Sequence, residues 1–432
     1  MTRSAPSEFL SQPKSISFYV IFGLTLVFIL CDVVIQSRMY VFAFGTESRA
    51  LFFSAALIVV CVFVFINFID GDHLPILVFL ALTIYLLLQH FAFSLRTGIE
   101  FNLNVLAQCY GFLSFSIFYA LSRRGMLRAS LNLVFFVASV YLVVYCVVAS
   151  LYYLGVIGDL TSADVYTVLA DRERGNRLFL ANGHATFVLM FSIVYLVERR
   201  TVGVLLTLCL AVAAITLSIS RVLIATDVLV VLLFLAVRRP VMISSVAFGI
   251  YAALAIYLCW GIVFDFNPFE FSSTDSSTLY RRGEFTIMAE YIRQNPLFGI
   301  GLYDNVEGLA YLTGRSLLFP SDIGIVGTCF MFGVTGAVMF GILPAVICCF
   351  QRVRDHDSIL PRAERTALLM VGAAVGIYSA TAMTIFNGAD STCFGILLAT
   401  WLRSLQTAQA PVDYADVRTR SQGLLGTASR PR

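Results

Sequence analysis

The chain has 432 residues, 59% of them hydrophobic and 13% charged, with a formal net charge of +3 and a mean hydropathy of +0.87. A soluble domain is roughly half apolar and a quarter charged, so this composition excludes an ordinary soluble enzyme. The small net charge gives no reason to expect a nucleic-acid partner, and membrane spans use up nearly all of the length.

A bilayer core about 30 Å thick takes about 20 apolar residues per helix. Runs of this kind occupy residues 18–35, 51–69, 74–93, 103–121, 131–154, 178–196, 202–219, 222–237, 241–264, 323–350, 367–386 and 391–402. The expected fold is an all-α polytopic membrane protein of about 12 transmembrane helices, filling residues 18–402 as one domain. The runs at 222–237 and 391–402 are short, so ten or eleven spans also fit. Residues 1–17 precede the first span, and the polar tail 403–432 is predicted to be disordered. The first run is span-length with no small-residue cleavage site after it, so no cleavable signal peptide is expected.

Arginine placement predicts the orientation. With an even span count and both termini cytoplasmic, four short inner loops hold Arg123, Arg124, Arg128, Arg199, Arg200, Arg238, Arg239, Arg352, Arg354, Arg362 and Arg365. The outer connections up to the ninth run hold Arg38, Arg49, Arg96, Arg172, Arg174, Arg177 and Arg221, spread over longer segments. The positive-inside rule favours this arrangement. It leaves two long outer loops, at about 155–177 and 265–321. In the second, Ser273, Thr274, Asp275, Ser276, Ser277 and Thr278 supply helix-start residues, followed by Phe285, Met288, Tyr291 and Ile292 at helical spacing. The spacing predicts an amphipathic helix on the membrane surface, ending at Asn295-Pro296 and followed by a turn at Gly299 and Gly301.

The ten cysteines fall almost entirely inside apolar runs, without metal-ligand spacing, and read as small hydrophobes. There is no Walker motif, no GxGxxG after a strand and no HExxH, so neither a metal nor a cofactor is expected. Outer arginines run against the positive-inside rule and invite explanation. Arg221 begins a span, Arg281 and Arg282 begin the surface helix, and Arg177 ends the first outer loop. They either converge on an anion such as a lipid pyrophosphate, or anchor helix ends by snorkelling to headgroups. Of the ionisable residues inside spans, Asp32, His90 and His184 lie near span ends, where solvation is cheap, and Asp227 lies deep, where pairing with a neighbouring helix is expected. The acidic candidates in the large loop are Glu284, Asp304, Glu307 and Asp322, each either a solvated carboxylate or a general base, and no histidine falls there.

Four stretches in chain order carry a family resemblance: "RGNRLFLANGHATFVLMF", "LSISRVLIA", "RRGEFTIMAEYIRQNPLFGIGLYDN" and "SDIGIVGTCFMFGVTGAVMF". Together they resemble the O-antigen polymerase and O-antigen ligase superfamily, membrane glycosyltransferases with a GT-C-like fold that use undecaprenyl-pyrophosphate-linked glycans. They cover the second half of the chain. The resemblance implies that Arg281, with Phe285 as its aromatic, and Arg221 are catalytic, and that Arg177, Arg282, His184 and Glu284 bind substrate. Family ligases place a His just before the span that begins here at Ile323, where this chain has Ser321-Asp322. That departure favours a polymerase, with Asp322 as the positional candidate for the base. The implied enzyme needs no metal and works at the outer face of a bacterial inner membrane, making O-antigen, capsule or exopolysaccharide. Its implied partners are lipid-linked glycan as donor and acceptor, membrane lipids and a chain-length regulator. The rival readings are a ligase, a lipid-glycan flippase and a non-catalytic assembly partner.

Overall fold

The computed structural model of the protein describes residues 16–38, 48–101, 110–157, 168–171, 175–237, 239–270, 276–303, 306–314, 318–351, 360–382 and 391–409. The predicted disordered tail, apart from its first residues, and the candidates Asp304 and Glu307 lie outside the described backbone or side chains. Helices dominate: α1 (Ile16–Ser37), α2 (Ser48–Ile69), α3 (Leu74–Thr97), α4 (Tyr110–Leu113), α5 (Phe115–Arg123) and α6 (Leu127–Tyr153) come first. A hairpin of β1 (Val168–Asp171) and β2 (Gly175–Leu178) sits in the first long loop, paired antiparallel with Leu169 opposite Arg177. Then follow α7 (Asn182–Arg199), α8 (Val202–Leu217), α9 (Arg221–Val237), α10 (Pro240–Val263), α11 (Ser276–Gln294) and α12 (Val306–Thr313). A 3-10 turn (Pro320–Ile323) leads into α13 (Gly324–Gly336), a π-helical segment (Ala337–Ile342) and α14 (Leu343–Cys349), and α15 (Arg362–Ser379) and α16 (Ser391–Gln409) close the chain.

Six of these segments are long and apolar enough to cross a membrane: Phe18–Ser37, Ala50–Ile69, Leu74–Thr97, Leu127–Tyr153, Pro240–Val263 and Pro320–Cys349. The protein is therefore a helical, membrane-embedded one. α3 shows how sequence produces this. Leu77, Leu80, Ile84, Leu88, Phe91 and Leu95 recur at helical spacing and are all exposed, an apolar stripe suited to lipid. The opposite face, with Leu82, Leu86, Gln89, His90 and Phe93, is buried. α15 is the contrasting case: Ala367 to Ile377 are buried without interruption, as expected for a helix that is apolar all round and enclosed by others. It packs against α7, α9, α10, α14 and α16. Gly376 admits α14 closely, since a Cβ there would come 2.6 Å from the Cys349 sulfur.

One expected span is interrupted. The run at 103–121 stays helical through Ser114, whose φ of −58° and ψ of −23° are helical and whose N–H donates to Tyr110 O at 3.0 Å, and its first residues lie outside the described ones. The run at 323–350 is broken at Gly333, whose φ of 66° and ψ of −162° leave the helical region. A break inside a membrane frees backbone groups that lipid cannot satisfy. Here the long loop that precedes the span satisfies them. The N–H of Ile300 donates to Phe330 O (2.9 Å), that of Gly301 to Met331 O (2.9 Å), and that of Val334 to Pro296 O (2.8 Å). The Asn295-to-Gly301 turn is thus built into the broken helix. α3 holds its other side: Arg96 Nη1 donates to Gly299 O (2.6 Å), and Leu302 N–H donates to Gln89 O (3.2 Å). Gly301 needs to be glycine twice over, because its φ is 102° and a Cβ would strike Gln89 O.

At the opposite ends of the helices, charge pairs join neighbouring elements. Arg123 meets Asp72 at 3.3 Å, Arg124 pairs with Asp70, and Arg128 meets Glu364 at 3.3 Å. Gln406 Nε2 donates to the Tyr119 hydroxyl, which donates to Asp72, each at 2.5 Å.

Candidate functional site

The predicted surface helix exists as α11, but its apolar face is covered by protein rather than lipid. Phe285, Met288, Ala289 and Ile292 are buried, and α11 packs against α10, α13 and the 3-10 turn. Gly261 of α10 makes room for Phe285, since a Cβ there would come 2.8 Å from the ring. Leu279 and Tyr280, near the start of α11, remain exposed. Helical spacing identified the face correctly, and the spans supplied the covering surface.

Docking of α11 brings three of the predicted residues to one place. Glu284 is buried, and its Oε1 accepts the Phe319 N–H at 2.8 Å. Its pKa is raised from 4.5 to about 7, chiefly by burial and in smaller part by neighbouring Asp322, against the lowering effects of the Phe319 N–H and the Arg281 guanidinium. Asp322 sits in the 3-10 turn at the start of α13, where a helix N-terminus favours an anion. The Ser321 hydroxyl donates to Asp322 Oδ1 at 3.4 Å. Tyr303, just beyond the docked turn, completes the group: burial raises its pKa, and Asp322 and Glu284 add to the rise. The site therefore holds a near-neutral carboxyl, an exposed carboxylate, a phenol and a guanidinium at the outer end of the loop-filled helix. Such a group can take a proton at neutral pH and stabilise negative charge beside it.

The remaining predicted residues lie elsewhere. Arg282 turns away from its neighbour and pairs with Glu270 at 2.9 Å. Arg221 is exposed at the first position of α9. Helix α10 packs against both α9 and α11, and so lies between the elements that carry Arg221 and Arg281. Arg177 lies in β2, opposite Leu169.

His184 is buried in the first turn of α7, and the expectation of cheap solvation at the span ends is corrected by the packing: Asp32, His90 and His184 are each at most 1% exposed. His90 Nδ1 is 2.8 Å from Leu302 O. Asp32 collects donors from three helices. Its Oδ1 accepts from Tyr110 (2.7 Å), from Gln36 Nε2 (2.8 Å) and from the Ser391 hydroxyl, while Oδ2 accepts from the Thr392 hydroxyl. His184 Nε2 lies 3.5 Å from Oδ2. Asp227, read as deep, is buried, and its carboxylate accepts the Thr186 hydroxyl of α7 at 3.1 and 3.2 Å, as a pairing with a neighbouring helix requires.

Sequence reasoning did not single out Tyr303, Arg96 or the hydroxyls around Asp32. The Arg96 contact had one legible signal, an arginine that the expected topology places on the side the positive-inside rule disfavours. Tyr303 and Ser391 had none, because their partners are far away in sequence. No family model matches the chain, and neither a curated protein nor a solved structure matches it.

Proposed function

We propose that the protein is a metal-independent membrane glycosyltransferase that polymerises undecaprenyl-pyrophosphate-linked repeat units at the outer face of a bacterial inner membrane. The supporting observation is the near-neutral Glu284 carboxyl held beside Asp322 and Arg281. A base is most effective when its pKa is near the working pH, which suits Glu284 to accepting the proton of an acceptor sugar hydroxyl. The hydroxyl oxygen bonds to the anomeric carbon of the donor glycan, and the bond from that carbon to the pyrophosphate oxygen breaks. The leaving pyrophosphate takes the electron pair, and Arg281 stabilises its added charge. Asp322, with no histidine at its position, positions the acceptor or shares the proton.

The helix ends fit an even number of crossings, and the arginine asymmetry favours cytoplasmic termini. The C-terminal end of α1 meets the N-terminal ends of α7 and α16 around Asp32, and Gly324 at the start of α13 lies against Ala380 at the end of α15. Alternating helices produce that pattern.

A second reading has one observation in its favour: the buried Asp32, His184 and Asp227 are the kind of residues a lipid-glycan carrier would use. Deleting the gene and sizing lipid-linked glycans separates the readings. Single repeat units accumulating at the outer face indicate a polymerase, long unattached chains a ligase, and inward-facing units a carrier. With purified protein at matched levels, Glu284→Gln and Asp322→Asn should each abolish most polymerisation. Wild-type rates in both variants would refute the carboxylate assignment.

A further inference from the structure

The group around Asp32 joins helices distant in sequence and plays no part in the proposed transfer. Four side chains converge on its carboxyl group. Tyr110, Gln36, Ser391 and Thr392 all donate to its two oxygens, and Ser391 and Thr392 are the first residues of α16. The carboxyl is fully buried, and a carboxylate in such a place is stabilised by hydrogen-bond donors and by a counter-charge.

Among the described residues, His184 is the basic group that pairs with it. Its ring is 1% exposed, Nε2 is 3.5 Å from the carboxylate, and among the described residues neither ring nitrogen has a hydrogen-bond partner. An imidazole enclosed this fully without a partner is a costly arrangement unless the ring is at times charged against Asp32. Opposing this, the ring is buried and lies in the first turn of α7.

The other titratable groups on the surrounding helices leave this pairing intact. Asp227 of α9 is held by Thr186, the Tyr141 hydroxyl of α6 accepts the Ala181 N–H, and the Tyr378 hydroxyl of α15 accepts from Asn182. Cys393 of α16 donates to Gly183 O, Cys31 neighbours Asp32 on α1, and Arg38 at the end of α1 stacks on the Phe179 ring at 3.7 Å. Among the described residues no three His, Cys, Asp or Glu side chains gather. The hydroxyls lie within hydrogen-bond reach of the carboxyl oxygens, and a pair of one carboxyl and one imidazole suits a proton.

We propose that Asp32 and His184 form a proton-binding site inside the membrane domain: His184 takes up the proton as an imidazolium, and the ionised carboxylate of Asp32 stabilises it. Uptake closes the electrostatic link between α1 and α7 beside the start of α16, and release opens it.

The test is nitrogen NMR of the full-length protein, labelled at its four histidines, in lipid nanodiscs between pH 4 and 9. The His184 signal is the one absent in His184→Gln. It should change from neutral imidazole to imidazolium as pH falls, and Asp32→Asn should lower its proton affinity at least tenfold. If Asp32→Asn does not fold, the wild-type titration decides alone. A His184 ring that stays neutral to pH 4 overturns the proposal, as does a titration unchanged by Asp32→Asn. A titration displaced by sodium at constant pH also overturns it, by making the site a cation site.

Discussion

Glu284→Gln should stabilise the protein at alkaline pH and leave it unchanged at acid pH. The folded protein holds this carboxyl at about 7 against an ordinary value of 4.5. At 1.36 kcal/mol per tenfold, that gap is at most about 3 kcal/mol. A carboxyl raised by folding favours the folded state while neutral, so its contribution is complete below pH 4.5 and is lost as pH rises to about 7. Above that, the wild type carries the whole cost of a buried anion. Glutamine stays neutral and keeps an oxygen for the Phe319 N–H, so its advantage grows from near zero at pH 4.5 to at most about 3 kcal/mol at pH 8. Unfolding of detergent-solubilised wild type and variant, followed through the fluorescence of Trp260 and Trp401, measures the difference at each pH. A gap that does not change with pH, or a wild type that is the more stable at pH 8, would refute the assignment of a buried, near-neutral carboxyl. The same substitution should abolish polymerisation, so stability and activity move in opposite directions.

Arg281→Lys keeps the charge but loses the planar two-pronged donor, and it should lower the polymerisation rate of purified protein roughly a hundredfold, about 3 kcal/mol. Arg293→Ala is the control on the same helix: Arg293 pairs with exposed Asp265 at 2.6 Å, and the rate should change little. Gly301→Ala should prevent folding or strip the outer loop from α3, detected as new protease cleavage near residue 300, because no side chain fits at a φ of 102° against Gln89 O. Cysteine labelling in a cysteine-free background should find positions near Ser277 and Asp304 outside and positions near Arg124 and Asp355 inside; the reverse pattern would overturn the orientation.

Most helix boundaries were legible because apolar runs of span length leave little choice. α1, α2, α3, α6 and α10 lie within a few residues of the expected runs. The break at Gly333 was not legible, since one small residue in an apolar run looks the same whether the helix continues or stops. The face of α11 could be read from the spacing of Phe285, Met288 and Ile292, but spacing does not say whether lipid or protein covers a face. Glu284, Asp322 and Arg281 were candidates from their place in the loop, and their proximity comes from docking that no local pattern records. Asp32 and His184 were misjudged for a related reason. Position along a helix measures depth in the membrane, whereas burial depends on which other helices arrive, and Ser391 arrives from 359 residues away.

The turn built into the broken span at Gly333 bears on how this protein can be cut and recombined. Residues 295–302 hydrogen-bond to backbone groups between Phe330 and Val334 and to α3, so loop, span and partner helix behave as one inherited part. A chimera that exchanged the outer loop alone, hoping to transfer substrate preference, would leave open backbone groups facing hydrocarbon. The workable junctions lie in the connections before α3 and after α14, and homologous loops should diverge only in step with the spans they plug.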